Sequence, residues 1–484
     1  MIRYFPVFRA LGMLLMLFSL ALLVPLAYAH WSHDGAETAY DLAFFATLGS
    51  GGGLWFATRK SQRELHLRDG FLLVALAWSV LPVYASLPFL VQLRVRFTDA
   101  YFEAVSGLTA TGATVFSQID RLPQSINLWR CLIIWLGGMG LIVLAVAILP
   151  MLGIGGRQMF KAEIPSPMKD TKLTPRITET AKGLWLVYVG FTVICAAAYR
   201  WAGMNGFDAV CHAFSTVSLG GFSTHDASFA HWNSPAIEGV AIVFMLISGM
   251  NFATHYIALS GRSLRTYLRD PEILWFLGVL LVSVLLITFY LWDFRIYGNT
   301  TETLRRVAFN LIAIATTAGF TSVDYSLWPF FAPLTMLFLC SFVSCSGSTG
   351  GGIKMMRAVL LYKQVYRELL RSMHPRAVYP VKLGGHAVQQ DTLFAILAFS
   401  FIYMVTLVAL VLVMSFSGLE IVTAFSAIVA SLNNTGPGLG MVGPSSTYAA
   451  LTPFQTWICA LAMLLGRLEI FTLLVVLTPA FWRK

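Results

Sequence analysis

Long apolar segments alternate with short polar connections along nearly the whole chain. The apolar segments cover about residues 10–29, 39–57, 70–92, 127–152, 183–202, 235–259, 272–292, 329–345, 391–416 and 453–481. About 20 consecutive apolar residues are enough for a helix to cross the hydrocarbon core of a bilayer. If the stretch 329–371 counts as one broken helix, the pattern predicts ten full spans.

The first apolar segment has two interpretations. Arg3 and Arg9 precede Ala10 to Ala29, and the small residues at its end are typical of a signal-peptide cleavage site. The segment is nevertheless long enough to span a membrane. We favour a first helix that is retained.

Four connections between spans share a second pattern, in which a short apolar piece precedes a polar run containing glycine. They read TDAYFEAVSGL–TATGAT, FDAVCHAFSTV–SLGGFST, RVAFNLIAIA–TTAGFTS and IVTAFSAIVASL–NNTGPGLG. Their glycines, Gly112, Gly221, Gly319 and Gly436, recur at intervals of about 100 residues. Self-similarity of this kind indicates one structural unit used four times. The predicted unit is a span, a short re-entrant helix, a polar loop and a second span.

The chemistry of such a unit is restricted by the membrane. Non-helical backbone at membrane depth survives only where it lines a wet cavity or is buried in protein. Four such loops around a common axis would form a ring of carbonyl oxygens, which can replace the water shell of a monovalent cation. The short helices would point their negative C-terminal ends towards this ring. The Thr and Asn residues before each glycine would add side-chain oxygens near the entrance.

No polar loop core carries Asp or Glu, which argues against a filter for divalent cations. Glycine would let each loop adopt left-handed backbone angles, so that its carbonyls can aim at the axis. The alternative is that the four short pieces are interfacial helices with polar caps.

Composition and charge support a membrane protein. The chain is 57% hydrophobic and 12% charged, whereas soluble domains are nearer a quarter charged. The net charge of +10 does not indicate nucleic-acid binding, because the basic residues lie in short loops without an aromatic-interleaved basic face. Most of the 33 Lys and Arg residues lie at the termini and in alternate loops, which predicts that both termini are cytoplasmic.

The six cysteines lie in or beside apolar segments at irregular spacing. They are interpreted as small buried hydrophobic residues, not as a disulfide framework or a zinc site. The sequence also shows no metal-ligand cluster, nucleophile elbow or HExxH motif, so we do not expect an enzyme.

The stretch CSGSTGGGIKMMR, residues 345–357, interrupts an apolar span. Gly, Ser and Thr at this density cannot hold a stable helix. A phosphate-binding loop is disfavoured, because the stretch lacks the GK[ST] ending and follows no strand. Two interpretations of the stretch remain: a kinked helix that serves only packing, and a gate. Lys354 would act either as a cation barrier or as a partner of a carboxylate or carbonyls.

Arg467, in MLLGRLEIF, is a second charge at membrane depth. Ionisable residues in a span are costly and face a cavity or a partner. Glu469 lies two residues further on, on a different helical face, and is a poor local partner. Pairing of Arg467 with helix-end carbonyls remains the alternative to a role near the pore.

The four glycine loops, SGSTGGGIK and LGRLEIF together resemble the Trk-type potassium uptake proteins, the TrkH family within the TrkH/TrkG/KtrB superfamily. The resemblance covers essentially the whole chain, including the terminal TPAFWRK. It implies an all-α integral membrane protein with four pseudo-fourfold membrane-pore-membrane units around one ion pore, plus two extra N-terminal helices. It also implies a bacterial inner-membrane homodimer in which each subunit has its own pore.

The resemblance further implies a function and a regulator. Potassium and rubidium would pass well and sodium less well, because four unlike loops make a less discriminating site than four identical ones. A cytoplasmic TrkA-type nucleotide-binding ring would gate the pore. The residues 345–357 would then lie across the pore beneath the filter and move when it opens.

By this resemblance, the potassium-binding filter positions are Thr109, Ala110, Thr111, Gly112, Ser218, Leu219, Gly220, Gly221, Thr316, Thr317, Ala318, Gly319, Asn433, Asn434, Thr435 and Gly436. The gate positions are Gly347, Gly350, Gly351, Gly352, Lys354 and Arg467. No covalent cofactor is expected, and potassium is the transported ion.

The predicted organisation has an N-terminal two-helix domain followed by four units, over residues 1–66, 67–156, 157–262, 263–382 and 383–484. The basic loops 156–182 and 357–382 are the best candidates for docking the ring, and they also suit anionic lipid.

Four residues near the predicted outer mouth have structural interpretations. Asp99, Glu103 and Asp208 at the start of short helices complement the helix dipole, although they would also concentrate cations. Glu103 would alternatively pair with an arginine. His212 is interpreted as a packed histidine.

A gated pore and a proton- or sodium-coupled potassium symporter are the competing functions. Broken helices at the midplane suit transporters that work by alternating access. Two inverted repeats would favour the symporter. The four parallel repeats found here favour the pore.

Overall fold

The computed structural model describes residues 4–60, 63, 65–148 and 177–483. Within these ranges the chain is almost entirely helical, and its strands are limited to a two-stranded antiparallel hairpin, β1 (Lys382–Leu383) and β2 (His386–Ala387). The predicted all-α class is therefore confirmed.

The chain begins with two long antiparallel helices, α1 (Phe5–Ser32) and α2 (Glu37–Thr58). They approach closely at Gly12 and Gly51, where a Cβ on either glycine would lie 2.8 Å from the carbonyl oxygen of the other. Helix α1 also packs against the first span of the first unit. These helices form the predicted additional pair outside the four repeats.

Each repeat then follows the same order of first span, pore helix, polar loop and second span. The first spans are α3 (Leu67–Ala85) with α4 (Leu87–Leu93), α7 (Ile177–Trp201), α12 (Pro271–Asp293) and α16 (Gln390–Phe416). The pore helices are α5 (Phe97–Leu108), α8 (Gly206–Val217), α13 (Thr300–Ala315) and α17 (Ile421–Leu432).

Up to Ile148, where the described part of the first unit ends, its second span is a single helix, whereas the other three second spans are interrupted. They comprise α6 (Gln124–Ile148), α9 (Pro235–Gly249) with α10 (Phe252–Ser260), α14 (Phe331–Cys340) with α15 (Met355–Met373), and α18 (Pro453–Arg467) with α19 (Phe471–Leu477). Two short helices, α11 (Arg265–Arg269) and α20 (Pro479–Trp482), complete the described set.

Two spans predicted as continuous are broken in the structure. The chain bends by 94° between α9 and α10, and by 111° between α18 and α19. At the first bend, the Asn251 side chain accepts a hydrogen bond from the Ala253 N–H and begins a new helix. At the second bend, Glu469 and Ile470 both have positive φ, which is incompatible with a continuing right-handed helix.

Five of the described helices are long and apolar enough to cross a membrane, and counting each bent pair as one span raises this number to seven. Helices α2, α6 and α14 fill the places of the other three predicted spans. The third pore helix begins earlier than its apolar piece at Arg306 suggested, because Asn299 caps a polar first turn.

The cysteines behave as predicted. All six are buried and none is paired in a disulfide. They therefore contribute to packing in the way that small hydrophobic side chains do.

Candidate functional site

The four glycine loops meet in a closed ring. A Cβ on Gly112 would overlap the carbonyl oxygen of Gly220 in the second loop. In the same way, a Cβ on Gly221 would meet the carbonyl oxygen of Ala318, and a Cβ on Gly319 would meet that of Thr435. A Cβ on Gly436 would meet the carbonyl oxygen of Thr111 in the first loop, which closes the ring. Each filter glycine thus packs against the carbonyl that precedes the glycine of the next loop, in the order one, two, three, four and one.

The backbone of each loop is left-handed at the same two positions. The four glycines have φ between 72° and 95°. The residue two places earlier is also left-handed, although it is never glycine: Ala110 (φ 52°), Leu219 (54°), Thr317 (64°) and Asn434 (53°). Left-handed geometry costs a residue with a Cβ about 1–2 kcal/mol. Its presence in all four loops indicates that the surrounding fold imposes one conformation on four different sequences.

In each loop, a backbone N–H group donates a hydrogen bond to a carbonyl of the preceding pore helix. The N–H groups of Thr111, Gly220 and Thr435 donate to helix carbonyls at 2.8–2.9 Å, and that of Gly319 does so at 3.0 Å. These bonds close the C-terminal ends of the helices, which otherwise leave carbonyls unpaired.

The carbonyls before the glycines have no such partner. Among the hydrogen bonds of the described residues, none ends on the carbonyl oxygen of Thr111, Gly220, Ala318 or Thr435, and all four residues are buried. Buried carbonyl oxygens are normally paired, because an unpaired one is costly. A ring of such oxygens is suited to bind a cation that has lost water.

Several Thr and Asn side chains before the glycines form bonds within the protein. The Thr109 and Thr316 hydroxyls donate back to pore-helix carbonyls at 2.7 Å. Asn433 accepts from the Tyr403 hydroxyl at 2.8 Å, and Asn434 donates to Thr111 at 3.0 Å. These Thr and Asn side chains therefore help to hold the loops together. The Asn434 amide oxygen and the Thr435 hydroxyl, by contrast, are buried without a hydrogen-bond partner and remain side-chain oxygens beside the ring.

In three units, the polar side chain nine residues before the filter glycine joins the pore helix to the extended segment that leaves the filter. We call Glu103, His212 and Asn310 the bracing residues. His212 lies 3.0 Å from the Ser223 hydroxyl, and Asn310 accepts from the Ser322 N–H at 3.1 Å. In the fourth unit, where alanine occupies this register, Ser426 accepts from the Leu439 N–H at 2.8 Å. All four pore helices are thus joined to the extended segments that leave their filter loops.

The brace in the first unit is an ion pair. Glu103, fully buried, accepts from Arg130 at 2.8 Å and from the Val115 N–H at 3.0 Å. Arg130 also donates to the carbonyl of Ser223 at 3.1 Å, which joins the first loop to the second. The predicted pairing of Glu103 with an arginine and the packed interpretation of His212 both match this geometry.

The interrupted helix of the third unit places residues 341–354, here called the gate segment, against the inner end of the ring. The Gly351 N–H donates to the Thr317 hydroxyl at 2.9 Å. The Thr349 hydroxyl donates to the carbonyl of Val217, the last residue of the second pore helix, at 3.1 Å. A Cβ on Gly351 would overlap the Asn433 carbonyl of the fourth loop. The segment therefore contacts the second, third and fourth units.

One buried carboxylate bonds both to this segment and to the start of the helix that follows it. Glu272, at the start of α12, accepts from the Ser346 N–H at 2.7 Å and from the Met356 N–H at 2.9 Å with the same oxygen. Its side chain is buried. Hydrogen bonds to a charged group are about twice as strong as neutral ones. A conformational change of the gate segment has to break one or both bonds.

The two cations at membrane depth both bind carbonyl oxygens. The Lys354 ammonium donates to the Gly350 carbonyl within its own segment. Arg467 donates to the Thr349 carbonyl at 3.0 Å and, from its other nitrogen, to the Gly137 and Gly138 carbonyls at 2.6 and 3.1 Å. Arg467 thus connects the gate segment to α6 of the first unit, the one unit that the segment itself does not contact through the bonds above.

A further ion pair joins the helix after the gate segment to the second bend. Arg357 in α15 donates to Glu469 at 2.6 Å and stacks on the Phe399 ring, 4.2 Å from its centroid. Glu469 has no role as a local partner of Arg467, as predicted. Its positive φ turns it towards the third unit instead.

The structure brings together the predicted filter residues, and it brings the predicted gate residues next to them. It adds Glu272, Arg130 and the bracing residues, which sequence reasoning had not assigned to the site. The sequence does contain a pattern that indicates the bracing residues. In three of the four apolar pore helices, a polar residue lies nine positions before the filter glycine.

These features define a class of membrane protein: four membrane-pore-membrane units whose loops form a ring of backbone carbonyls. The family model of TrkH, described as cation transport protein, matches residues 38–484. The chain belongs to this family.

Named relatives and a solved structure agree with this assignment. The chain is 47% identical to the Trk system potassium uptake protein TrkH of Salmonella typhimurium, over 98% of this chain and 99% of that protein. It is 37% identical to the protein TrkG of Escherichia coli, over 98% and 97% of the two chains. The crystal structure of the potassium transporter TrkH from Vibrio parahaemolyticus matches with a TM-score of 0.90 and 42% identity, over 99% of this chain and all of that one.

Proposed function

We propose that this protein conducts potassium across the bacterial inner membrane through the carbonyl ring at Gly112, Gly221, Gly319 and Gly436. The observation that carries the proposal is the closed ring of four buried, unpaired carbonyls. Backbone carbonyls replace the hydration shell of a monovalent cation without adding a net charge. The relatives named as potassium uptake proteins support potassium as the ion.

The gate segment controls access to this ring from the inner side. We assign the conformation described here to the closed state, since the segment lies against the inner ends of three loops. Opening requires the segment to leave Thr317 and Val217, and Arg467 and Glu272 oppose that movement through the bonds given above. Lys354 and Arg467, bound to carbonyls of the segment, add positive charge that disfavours a cation below the filter.

Regulation by a cytoplasmic TrkA-type nucleotide-binding ring acts through α15. This helix directly follows the gate segment and carries an exposed apolar stripe, which favours residues 357–382 as the docking surface. The stripe consists of Tyr362, Val365, Tyr366, Leu369 and Met373. The other predicted docking segment, 156–182, lies largely outside the described residues. A homodimer with both termini in the cytoplasm, surrounded by anionic lipid, completes the proposal.

Coupled symport is the second candidate, because three second spans are interrupted at depth, as in many transporters. The two mechanisms differ in what drives the flux. A pore conducts rubidium down its own gradient when no proton or sodium gradient is present, whereas a symporter requires the co-transported ion.

The test is rubidium uptake into liposomes that contain the purified protein, with equal pH on both sides and with choline replacing sodium. Uptake that follows the rubidium gradient alone supports the pore. Uptake that appears only with a proton or sodium gradient supports the symporter and overturns the proposal. A variant with Gly239→Ala, in open space on α9, serves as the control for handling and reconstitution.

A further inference from the structure

Three side chains from two different units converge on the outer face, beyond the filter. Asp120 lies in the connection that follows the first filter loop, and His225 and His231 lie in the connection that follows the second. One ligand atom of each lies within 4.8 Å of the others. Asp120 and His231 are exposed and His225 is partly exposed, so that ions in the external solution reach them.

We propose that Asp120, His225 and His231 form a binding site for a divalent transition metal of the zinc class. The site is separate from the potassium pathway, and the proposal does not depend on the mechanism of transport. Two imidazole nitrogens and one carboxylate oxygen are a ligand set that zinc accepts, with water in the fourth position. Calcium and magnesium prefer sites made of oxygen alone.

The arrangement around His225 supports metal binding more strongly than proximity does. One ring nitrogen, Nδ1, faces the Asp120 carboxylate. The other, Nε2, lies 3.1 Å from an oxygen of Asp208, a buried carboxylate. Histidines that bind metals usually donate their second N–H to a carboxylate in this way, which fixes the tautomer and the ring orientation. Nδ1 is then left to bind the metal, in place of the proton it shares with Asp120.

The other two ligands are also held in position. The Asp226 N–H donates to the second oxygen of Asp120 at 3.1 Å, which leaves the first oxygen facing the histidines. The ring of His231 lies parallel to that of His225, with the centroids 3.6 Å apart and an angle of 7° between the planes. An Asp–His ion pair alone gives no reason for a second imidazole in this place.

Metal binding requires a small adjustment. Zinc–ligand bonds of about 2.0–2.2 Å place tetrahedral ligand atoms roughly 3.3–3.6 Å apart. The stacked rings therefore have to splay. Among the described residues, ring contacts with His225 and Trp232 position the exposed His231 ring and no hydrogen bond does, so this ring is the one that shifts. A bound metal would link the outer connections of the first and second units.

Calorimetric titration of the purified full chain with Zn²⁺, after removal of metals with a chelator, tests the proposal. We expect His231→Ala and Asp120→Asn each to lower the affinity by about tenfold or more, since even outer partners of metal ligands contribute 10–100-fold. The matched control is the double variant His30→Ala/His33→Ala. These histidines are exposed and lie 3.8 and 4.0 Å from single carboxylates, Asp41 and Glu37, so they represent adventitious binding.

Electron paramagnetic resonance of Cu²⁺ added to the same protein gives an independent result. Coupling to two imidazole nitrogens, reduced to one in His231→Ala, supports the site. The proposal is overturned if Zn²⁺ does not bind, if His231→Ala binds it as well as the unmodified chain, or if the control variant loses binding instead. Size-exclusion profiles of all variants show whether each one is folded.

Discussion

The filter ring and the gate segment lie against each other, but the ring is repeated in all four units and the segment belongs to one. The ring uses one backbone conformation four times, and each loop is fixed by its neighbours and by its own pore helix. The gate segment occurs once among the described residues, in the third unit, and bonds to the other units through a few side chains. The ring repeats one arrangement four times, whereas the segment breaks that symmetry and is held by single side-chain and backbone hydrogen bonds.

Under the proposed function, this difference would let one protein combine a constant binding site with a variable barrier. A site for an ion requires several equivalent oxygens at fixed positions, which repetition supplies. A barrier that moves needs only one element with two stable positions. Changes in the ring should therefore alter both the flux and the ion preference. Changes around the segment should alter the flux and leave the ion preference unchanged.

The largest effect is expected from a Cβ in the ring. In Gly319→Ala the new methyl group overlaps the Thr435 carbonyl, and the left-handed backbone adds about 1–2 kcal/mol. We expect rubidium flux into liposomes to fall by roughly tenfold or more, with no recovery when the gate segment is altered. Gly239→Ala, on a helix with open space, should keep full flux. Normal flux and normal ion preference in Gly319→Ala would contradict the filter assignment.

The next effect is expected from Glu272, which bonds to the gate segment at Ser346 and to the following helix at Met356. Glu272→Ala leaves the N–H groups of Ser346 and Met356 without their acceptor, at about 1–3 kcal/mol for each. The closed position loses stability, so flux without the partner ring should rise about fivefold or more. The ratio of rubidium to sodium flux should stay the same.

Glu272→Gln serves as the matched variant, because it retains an acceptor oxygen but loses the charge. It should lie between the unmodified chain and Glu272→Ala in flux. A decrease of flux in both variants, in protein that remains folded, would show that Glu272 supports conduction and not closure.

A smaller effect is expected from the bracing residues. In Asn310→Leu the new side chain has a similar volume but leaves the Ser322 N–H unpaired. The third pore helix then loses its bond to the extended segment that leaves the filter. We expect a lower midpoint of thermal unfolding, because an unpaired buried donor costs about 1–3 kcal/mol. We also expect a rubidium-to-sodium flux ratio reduced by about twofold to fivefold, which corresponds to the lower end of that range or less. An unchanged ratio in less stable protein would limit the brace to a structural role.

The smallest effect is expected from the pair of Arg357 and Glu469. Glu469 retains 30% of its side-chain exposure, so solvent screening limits what the pair contributes. Arg357→Gln should therefore raise basal flux by less than about fivefold. A larger rise than in Glu272→Ala would mean that the bend at Glu469, and not the gate segment, controls the barrier.

The sequence predicted the ring because repetition leaves a glycine in the same register of four loops, each after a short apolar helix. The interrupted third-unit span was also visible, since Gly350, Gly351 and Gly352 cannot continue a helix. The bends after Gly249 and Arg467 were not visible, because each is made by one or two residues whose backbone angles depend on their neighbours.

The supporting residues were harder to predict for a physical reason. Glu103, His212 and Asn310 perform the same task with different chemistry, so similarity of residue type does not connect them. Glu272 looks like an acidic residue in the first turn of a helix, and only the fold brings Ser346 and Met356 to it. Likewise, Asp120 and His225 are 105 residues apart in the chain and meet only because adjacent units share the outer face.

The central claim is that filter and gate are separate elements. The most direct test compares rubidium and sodium uptake into liposomes by the unmodified chain and by a variant that lacks Gly350–Gly352, without the partner ring and with no proton or sodium gradient. The account predicts that the deletion raises rubidium uptake and leaves the rubidium-to-sodium ratio unchanged. Loss of uptake in folded protein, or uptake that appears only with a proton or sodium gradient, would place the interrupted helix within a coupled transport cycle and contradict the account.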